Sequence, residues 1–212
     1  MDGVGTAAGG AHMNPSSAPS QSSQDKAPAA RHEVSGTSIL NFLKHFDKKG
    51  VRATMRQRVS PATAVYFDKL ILRTSWVHRS VLDDIYAAVA MDGGEDAVRR
   101  FSLEVTRDGY GPMVRQFAET LLGLMGASPS TLFSRFGAIG GMYEHGTEYR
   151  YTELSPRSGE LVVRLVESAP RLVFVAWEGV FQFVFELTRE QGTVAPVQVS
   201  ENGQVGRYLL KW

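Results

Sequence analysis

Between Leu172 and Leu187 the chain runs LVFVAWEGVFQFVFEL, its most apolar window, and no other stretch limits the possible folds as much. Leu172, Val175, Ala176, Gly179, Val180, Phe183, Val184 and Leu187 recur at the three-and-four spacing of one helix face. Val173, Phe174, Trp177, Phe181 and Phe185 cover most of the remaining circumference, while Arg171, Glu178, Gln182, Glu186 and Arg189 fit one narrow polar stripe. A helix with so little polar surface must be covered on nearly every side, by its own domain or by a partner subunit. The competing solution is a pair of strands, because Val and Phe favour sheet and Gln182 to Glu186 half alternates. The regularity of the polar stripe favours the helix.

The 212 residues allow one ordinary domain plus an appendage. Residues 1–35 are Gly, Ala, Ser, Pro and Gln with almost no large apolar side chain, too little to offset the entropy of ordering. They are expected to form a disordered low-complexity tail ahead of a single domain over 36–212, and Met1 and Met13 both remain possible starts. A net charge of +1 calls for no field-driven partner such as bulk nucleic acid. The chain has no cysteine, which removes disulfides, thiolate catalysis and cysteine-ligated metals together. Its start has neither a basic n-region nor an apolar h-region, and no run reaches the ~18 uncharged apolar residues of a membrane span. A soluble cytoplasmic protein is the expectation.

From Thr37 onward the helical rhythm dominates. Helices are expected over Ile39–Phe46 (ending at Gly50), Arg52–Arg58 and Pro61–Leu72. Another is expected after Thr74 or Ser75, burying Val77, Val81, Leu82, Ile85, Ala88 and Val89. Ala97, Val98, Phe101 and Val105 continue the spacing, as do Met113 to Met125 and, beyond Ser128-Pro129, Leu132 to Ile139. After Gly146 the period changes. Thr147–Leu154 and Glu160–Val166 make a hairpin across the five residues Ser155 to Gly159, and Val194–Ser200 with Val205–Trp212 makes a second around Asn202-Gly203. A helical N-terminal half followed by two antiparallel hairpins, with the apolar helix between them, argues for an α+β fold.

This layout resembles a myxobacterial paralogous family of unknown function. The likeness covers residues 38–212 and rests on TEYRYTEL, ELVVRLV, the terminal YLLKW and scattered positions such as Gly50, Trp76, Gly179 and Trp212. It is also similar in plan to the haem-nitric-oxide-binding domain and its vinyl-reductase-like relatives, which implies a small-molecule sensing module. That family holds haem propionates with a Tyr-x-Ser-x-Arg motif and ligates iron through an upstream histidine. Here Ser155 and Arg157 match the latter part of the motif, but Glu153 stands at the tyrosine position, with Tyr149 and Tyr151 upstream. No histidine occurs between Met113 and Ile139, and an axial ligand is what holds haem iron, so no cofactor is expected. The candidate ligand-binding residues are Tyr149, Tyr151, Arg157 and Trp177.

No catalytic constellation and no metal site stands out. His45, His78 and His145 lack the spacing of a helical metal site, and His78 on a helix would face positions 81 and 82, away from Asp83 and Asp84. Glu144, His145 and Glu148 surround a glycine and offer donors a metal could take, but a metal site is not the expectation. No serine sits in a nucleophile elbow. Gly137, Gly140 and Gly141 follow a helix and precede a strand, the wrong order for a dinucleotide fingerprint, and suit close packing and a cap. Lys44, His45, Lys48, Lys49, Arg52, Arg56 and Arg58 fall within residues 44–58, opposed there only by Asp47. They could meet phosphates on nucleic acid or anionic lipid, though without interleaved aromatics. The leading expectation is a non-catalytic regulatory or scaffolding module that binds a protein partner or a small apolar ligand. An enzyme with an unrecognised site and an electrostatic binder are the alternatives. Trp177, Phe181 and Phe185, spaced by four, are expected to form a homodimer contact.

Overall fold

The first element of the computed structural model, which describes Met1, residues 31–110, Gln116, Thr120 and residues 128–212, is a short strand, β1 (Glu33–Ser35). It lies inside the expected tail. Val34 is fully buried, as is His32 just before it, so the segment from His32 to Ser35 belongs to the packed body. Helix α1 (Gly36–Lys49) follows. Ser35 caps it, accepting the Ser38 N–H at 3.3 Å. Gly50 ends it in the left-handed region at φ 70°, donating to the carbonyls of Phe46 and Asp47.

Helices α2 (Arg52–Arg58) and α3 (Pro61–Asp68) come next, the latter with proline in its first turn and Ser60 as cap. The helix expected as far as Leu72 stops at Asp68. Val77 lies not on a helix but in strand β2 (Trp76–His78), antiparallel to β1. Helices α4 (Ser80–Ala90) and α5 (Gly94–Val105) then lead into a π-helical turn, Thr106–Tyr110. The helix expected over Met113–Met125 lies outside the described residues. Beyond Ser128, which caps it, α6 (Pro129–Ser134) is followed by α7 (Phe136–Gly140) and by β3 (Glu144–His145), which pairs with β1.

The second half carries the main antiparallel sheet. Strand β4 (Thr147–Ser155) pairs with β5 (Ser158–Leu165) across a turn of only two residues, Pro156 and Arg157, tighter than the expected five. Helix α8 (Arg171–Thr188) follows, so the Leu172–Leu187 stretch is one helix and not two strands. Then come β6 (Thr193–Val194), β7 (Gln198–Val199) and β8 (Val205–Lys211). Strand order is β4-β5-β8-β6, with β7 also on β8. Strands β6 and β7 would be one strand but for the residues between them, where Pro196 has no N–H for the ladder. Helices ahead of antiparallel hairpins, with the apolar helix between, make the fold α+β.

Helix α8 is covered on opposite sides. Against the sheet, Phe181 meets the Tyr208 ring edge-on at 4.8 Å, and the Tyr208 hydroxyl donates to the Phe174 carbonyl at 2.9 Å. On the helical side, the polar stripe forms a seam along α5. Arg171 pairs with Glu95 at 2.6 Å, Glu178 with Arg99 at 2.6 Å and Glu186 with Arg107 at 2.5 Å. The numbers rise together on both helices, so α5 and α8 run in the same direction. Gly179 sits on this seam, where a β-carbon would lie 2.2 Å from the Arg99 carbonyl oxygen. Glu178 is 2% exposed, not a solvated member of a polar face.

The expected dimer contact is filled by the chain itself. Phe181 and Phe185 are 0% and 1% exposed, each with an edge-on contact to Phe133 of α6, while Trp177 packs against Phe136 of α7. Burial of each such aromatic contributes about 1.5–3 kcal/mol. Two of the three residues are therefore core residues of one chain. Among the described residues no helix is long and apolar enough to cross a membrane.

Two predictions test this packing. A chain beginning at Gly36 loses β1 and His32 and should melt several degrees below one beginning at Arg31, given about 2–4 °C per kcal/mol for a domain of this size. Gly179→Ala should destabilise by about 1–3 kcal/mol in denaturant titrations, because backbone, not a movable side chain, occupies the space.

Candidate functional site

A cavity of about 100 Å³ lies between α8 and the helical half. Helix α8 supplies Val173, Ala176, Trp177, Val180, Phe183, Val184 and Leu187 as one wall. The opposite walls come from Phe42 of α1, Leu82 and Tyr86 of α4, Leu132 of α6, and Phe136 and Ile139 of α7. These residues face inward for the reason that they form amphipathic helices, since the same i, i+3, i+4 rhythm that builds the core also lines its gap. Gly140 closes one side because the Tyr149 ring lies where a β-carbon would stand, 2.6 Å away.

A few polar groups interrupt this apolar wall: Ser38, Arg79, Ser102, Thr106, Tyr143 and Glu144. Arg79, 4% exposed at the start of α4, pairs with Asp83 and donates to the Ser168 carbonyl at 3.2 Å. Burial raises the Asp83 carboxyl above its ordinary range in spite of Arg79. Glu144 accepts from the Thr147 hydroxyl at 3.0 Å and lies 3.9 Å from the buried His32 ring. Tyr149 reaches Glu144 at 3.5 Å, and burial first, then this carboxylate, pushes its phenol well above the usual value. Tyr143 is raised by burial alone.

Of the residues singled out in the sequence, Trp177 lines the cavity and Tyr149 stands directly behind it, with ring centroids 5.3 Å apart. Tyr151 points elsewhere, its hydroxyl 3.0 Å from that of Ser130 and its ring stacked on Phe133. Arg157 is a surface residue of the β4–β5 turn, 68% exposed, donating to the Trp212 carbonyl and to Glu190 at 3.3 Å. Neither Tyr151 nor Arg157 belongs to the cavity. Arg79 and Ser102, which sequence reasoning passed over, and Glu144, weighed there only as a metal ligand, do belong to it. Nothing local marks them, because each is polar only with respect to partners brought in by the fold.

Of the six Lys and Arg side chains in the stretch 44–58, five are ion-paired, all but the exposed Lys44. Lys48 pairs with Asp108 at 2.8 Å, Lys49 with Glu104 at 2.7 Å and Arg52 with Asp47 at 2.9 Å. Arg56 pairs with Asp68 at 2.6 Å and Arg58 with Asp92 at 2.7 Å. Exposed pairs of this kind add little stability. They do neutralise the face that an electrostatic binder would need. Among the described residues no group of three or more His, Asp or Glu side chains could hold a metal.

No protein-family profile matches the chain, and no curated protein matches it. Solved structures do. The Fe(II) unliganded H-NOX protein from K. algicida superposes with a TM-score of 0.62 at 10% identity, covering 84% of this chain and 95% of that one. A point mutant of the same protein gives 0.59 over the same shares. A mutant of the T. Tengcongensis H-NOX gives 0.57 at 10% identity, with 84% and 96% covered. The fold is H-NOX-like.

The residues present do not suit haem. No histidine lines the cavity among the described residues. His32 is tied to Thr147 at 3.0 Å, His45 lies between Glu104 and Asp108, His78 bonds Ser80, and His145 stacks on Trp76. The one arginine in the partial propionate motif, Arg157, is held by Glu190 and the last residue of the chain. A cavity of about 100 Å³ is below the ~150 Å³ engineered cavity that takes up benzene, and no porphyrin enters that space.

His45 generates a pH prediction. It is 5% exposed, and burial lowers its pKa below 6.5, with Glu104 and Asp108 opposing the shift. The unfolded chain therefore takes up the proton first as pH falls. The contribution of neutral His45 is complete above pH 6.5 and is lost as pH drops through 6.5 towards the folded value. Thermal melts from pH 7.5 to 5.5 should show a decline in Tm that His45→Gln makes shallower.

Proposed function

We propose that the chain is a non-catalytic sensing module that binds a small apolar molecule between α8 and the helical half. The observation behind this reading is the cavity itself: an apolar gap beside the core, walled by seven residues of the central helix. Cores are packed to the density of organic crystals, and a void forfeits dispersion contacts on every side. A fold that keeps one beside its core gives up stability there, and a ligand restores it. The H-NOX likeness supports a sensing role, and the donor set described above turns that role away from haem. In this reading the chain is one of the myxobacterial paralogues, a version of the fold built round an apolar ligand in place of the porphyrin. A cysteine-free chain suits the cytoplasm.

The test is occupancy. Cyclopropane, small enough for a cavity of about 100 Å³, should raise Tm by several degrees at saturating concentration, since a ligand at a hundred times its Kd adds about 2.7 kcal/mol. Ala176→Leu puts three carbon atoms into the cavity from a helix position that is already buried. It should keep or raise the ligand-free Tm and abolish the response to hydrocarbon. A wild-type protein indifferent to hydrocarbons of this size overturns the reading.

A further inference from the structure

Residues 69–76, which lead from α3 into β2, carry two of the most exposed large apolar side chains among the described residues, Leu70 at 88% and Leu72 at 61%. Ile71 between them is buried, so the chain there alternates outward, inward, outward. The arrangement is fixed by the start of α1. The Leu72 carbonyl accepts from Ser75 twice, from its N–H at 3.0 Å and from its hydroxyl at 2.7 Å, and the Gly36 N–H donates to the Ser75 carbonyl at 2.7 Å. The Thr37 hydroxyl donates to the Arg73 carbonyl at 3.3 Å. Gly36 lets the turn come this close, since a β-carbon there would run into the Leu72 carbonyl oxygen. Leu72 cannot turn inward without breaking this seat.

The charges beside the leucines are unbalanced. Lys69 holds its ammonium 3.8 Å from the Tyr66 ring centroid, Arg73 is exposed, and neither has a carboxylate partner among the described residues. Asp68, next to Lys69, is taken by Arg56 at 2.6 Å. Trp76 ends the segment, exposed and stacked on His145. We propose that residues 69–76 are a contact with an anionic bilayer, in which Leu70 and Leu72 enter the acyl layer, Lys69 and Arg73 meet lipid phosphates, and Tyr66 and Trp76 lie at headgroup depth. None of these residues lines the cavity, so the surface is independent of the ligand site. Protruding aliphatic side chains flanked by free cations and by amphipathic rings are the composition of an interfacial anchor. A protein partner would have to offer a pocket for each leucine and a carboxylate for each cation, and the centres of protein interfaces are poor in lysine and their hot spots poor in leucine. An anionic bilayer supplies both chemistries at every point of its surface. Two leucines make a short anchor, so the attachment is reversible.

The test is co-sedimentation of the full chain with vesicles of phosphatidylcholine alone and of phosphatidylcholine with phosphatidylglycerol, at lipid concentrations on the order of a millimolar. The chain should sediment with the anionic vesicles and stay in solution with the neutral ones. Leu70→Ser combined with Leu72→Ser should weaken binding by about tenfold or more, and Lys69→Gln with Arg73→Gln by roughly fivefold for each charge removed. All four side chains are exposed, so both double variants should keep the wild-type Tm. Leu70→Trp reads the contact directly, and its emission should move to shorter wavelength on anionic vesicles by more than that of the wild type. Absence of sedimentation with anionic vesicles, equal sedimentation with neutral ones, binding that the leucine variant retains in full, or an unmoved Leu70→Trp emission overturns the proposal. So does a dimer, seen by light scattering without lipid, that the leucine variant splits into folded monomers, because the patch is then a contact between copies of the chain.

Discussion

A helix that is apolar over most of its circumference has no preferred rotation about its own axis, and the buried carboxylate of Glu178 supplies one. Its two oxygens are held by Arg99 Nε at 2.6 Å and by the Val197 N–H at 2.8 Å. Turning α8 by even one residue would leave a charge unpaired in the core, at a cost of about 3–5 kcal/mol by comparison with broken buried pairs. The flanking pairs, Arg171 with Glu95 and Glu186 with Arg107, are half-exposed and contribute less, but they lie on the same line and fix the same register. Gly179 lets the two backbones close to the distance this seam requires. With the seam set, the positions of Phe174, Phe181 and Phe185 against sheet and front helices follow, and so does the face that Ala176, Trp177 and Val180 turn to the cavity.

Much of the local structure was legible because it is written in adjacent residues. Gly50, Pro61 and Ser128-Pro129 mark helix ends, and Asn202-Gly203 lies in the loop ahead of the last strand, where Gly203 adopts φ 63°. The polar stripe of α8 was legible as a stripe. What it faces was not, since Glu95, Arg99 and Arg107 lie 76 to 79 positions upstream and no periodicity within α8 refers to them. The same limit explains the misplaced dimer contact. Trp177, Phe181 and Phe185 do form a second apolar face, but the cover for it comes from the two shortest helices, α6 and α7, whose few turns give a weak signal. His32 to Ser35 was assigned to the tail because three residues of strand carry no detectable alternation. Their order comes from pairing with β2 and β3, which are no longer themselves.

The candidate site was less legible still. A cavity is defined by what several elements leave unfilled, and no single segment records it. Tyr149 could be picked out beside a sensing-type motif and Trp177 on the apolar helix, whereas Tyr151 and Arg157 share the motif's sequence neighbourhood without lining the cavity. Alternation explains the first of these. Tyr149 and Tyr151 point to the same face of β4, but Gly140 opens a slot beneath Tyr149 while Gly159 seats the Tyr151 ring against the neighbouring strand. Two residues along a strand move a side chain by nearly 7 Å, enough to leave a cavity of this size.

Helix α8 carries the cavity on one face and the main sheet on the other, which decides what occupancy can do. A ligand shifts a conformational equilibrium only by the difference in its affinity for the two arrangements. A molecule filling the space beside Ala176 and Val180 adds contacts to the arrangement in which α8 stands off from α4 and α7, and adds none to one in which the gap has collapsed. Any such movement is transmitted at fixed points. Glu178 holds the Val197 N–H between β6 and β7, Tyr208 of β8 holds the Phe174 carbonyl, and Gln182 holds that of Gly192 ahead of β6 at 3.2 Å. All three bonds join α8 to the region of the last three strands, and none joins it to β4. The strands bonded directly to the cavity helix therefore lie at β6, β7 and β8, on the side of the sheet away from the β4 edge, and the polar seam with α5 fixes that helix's rotation.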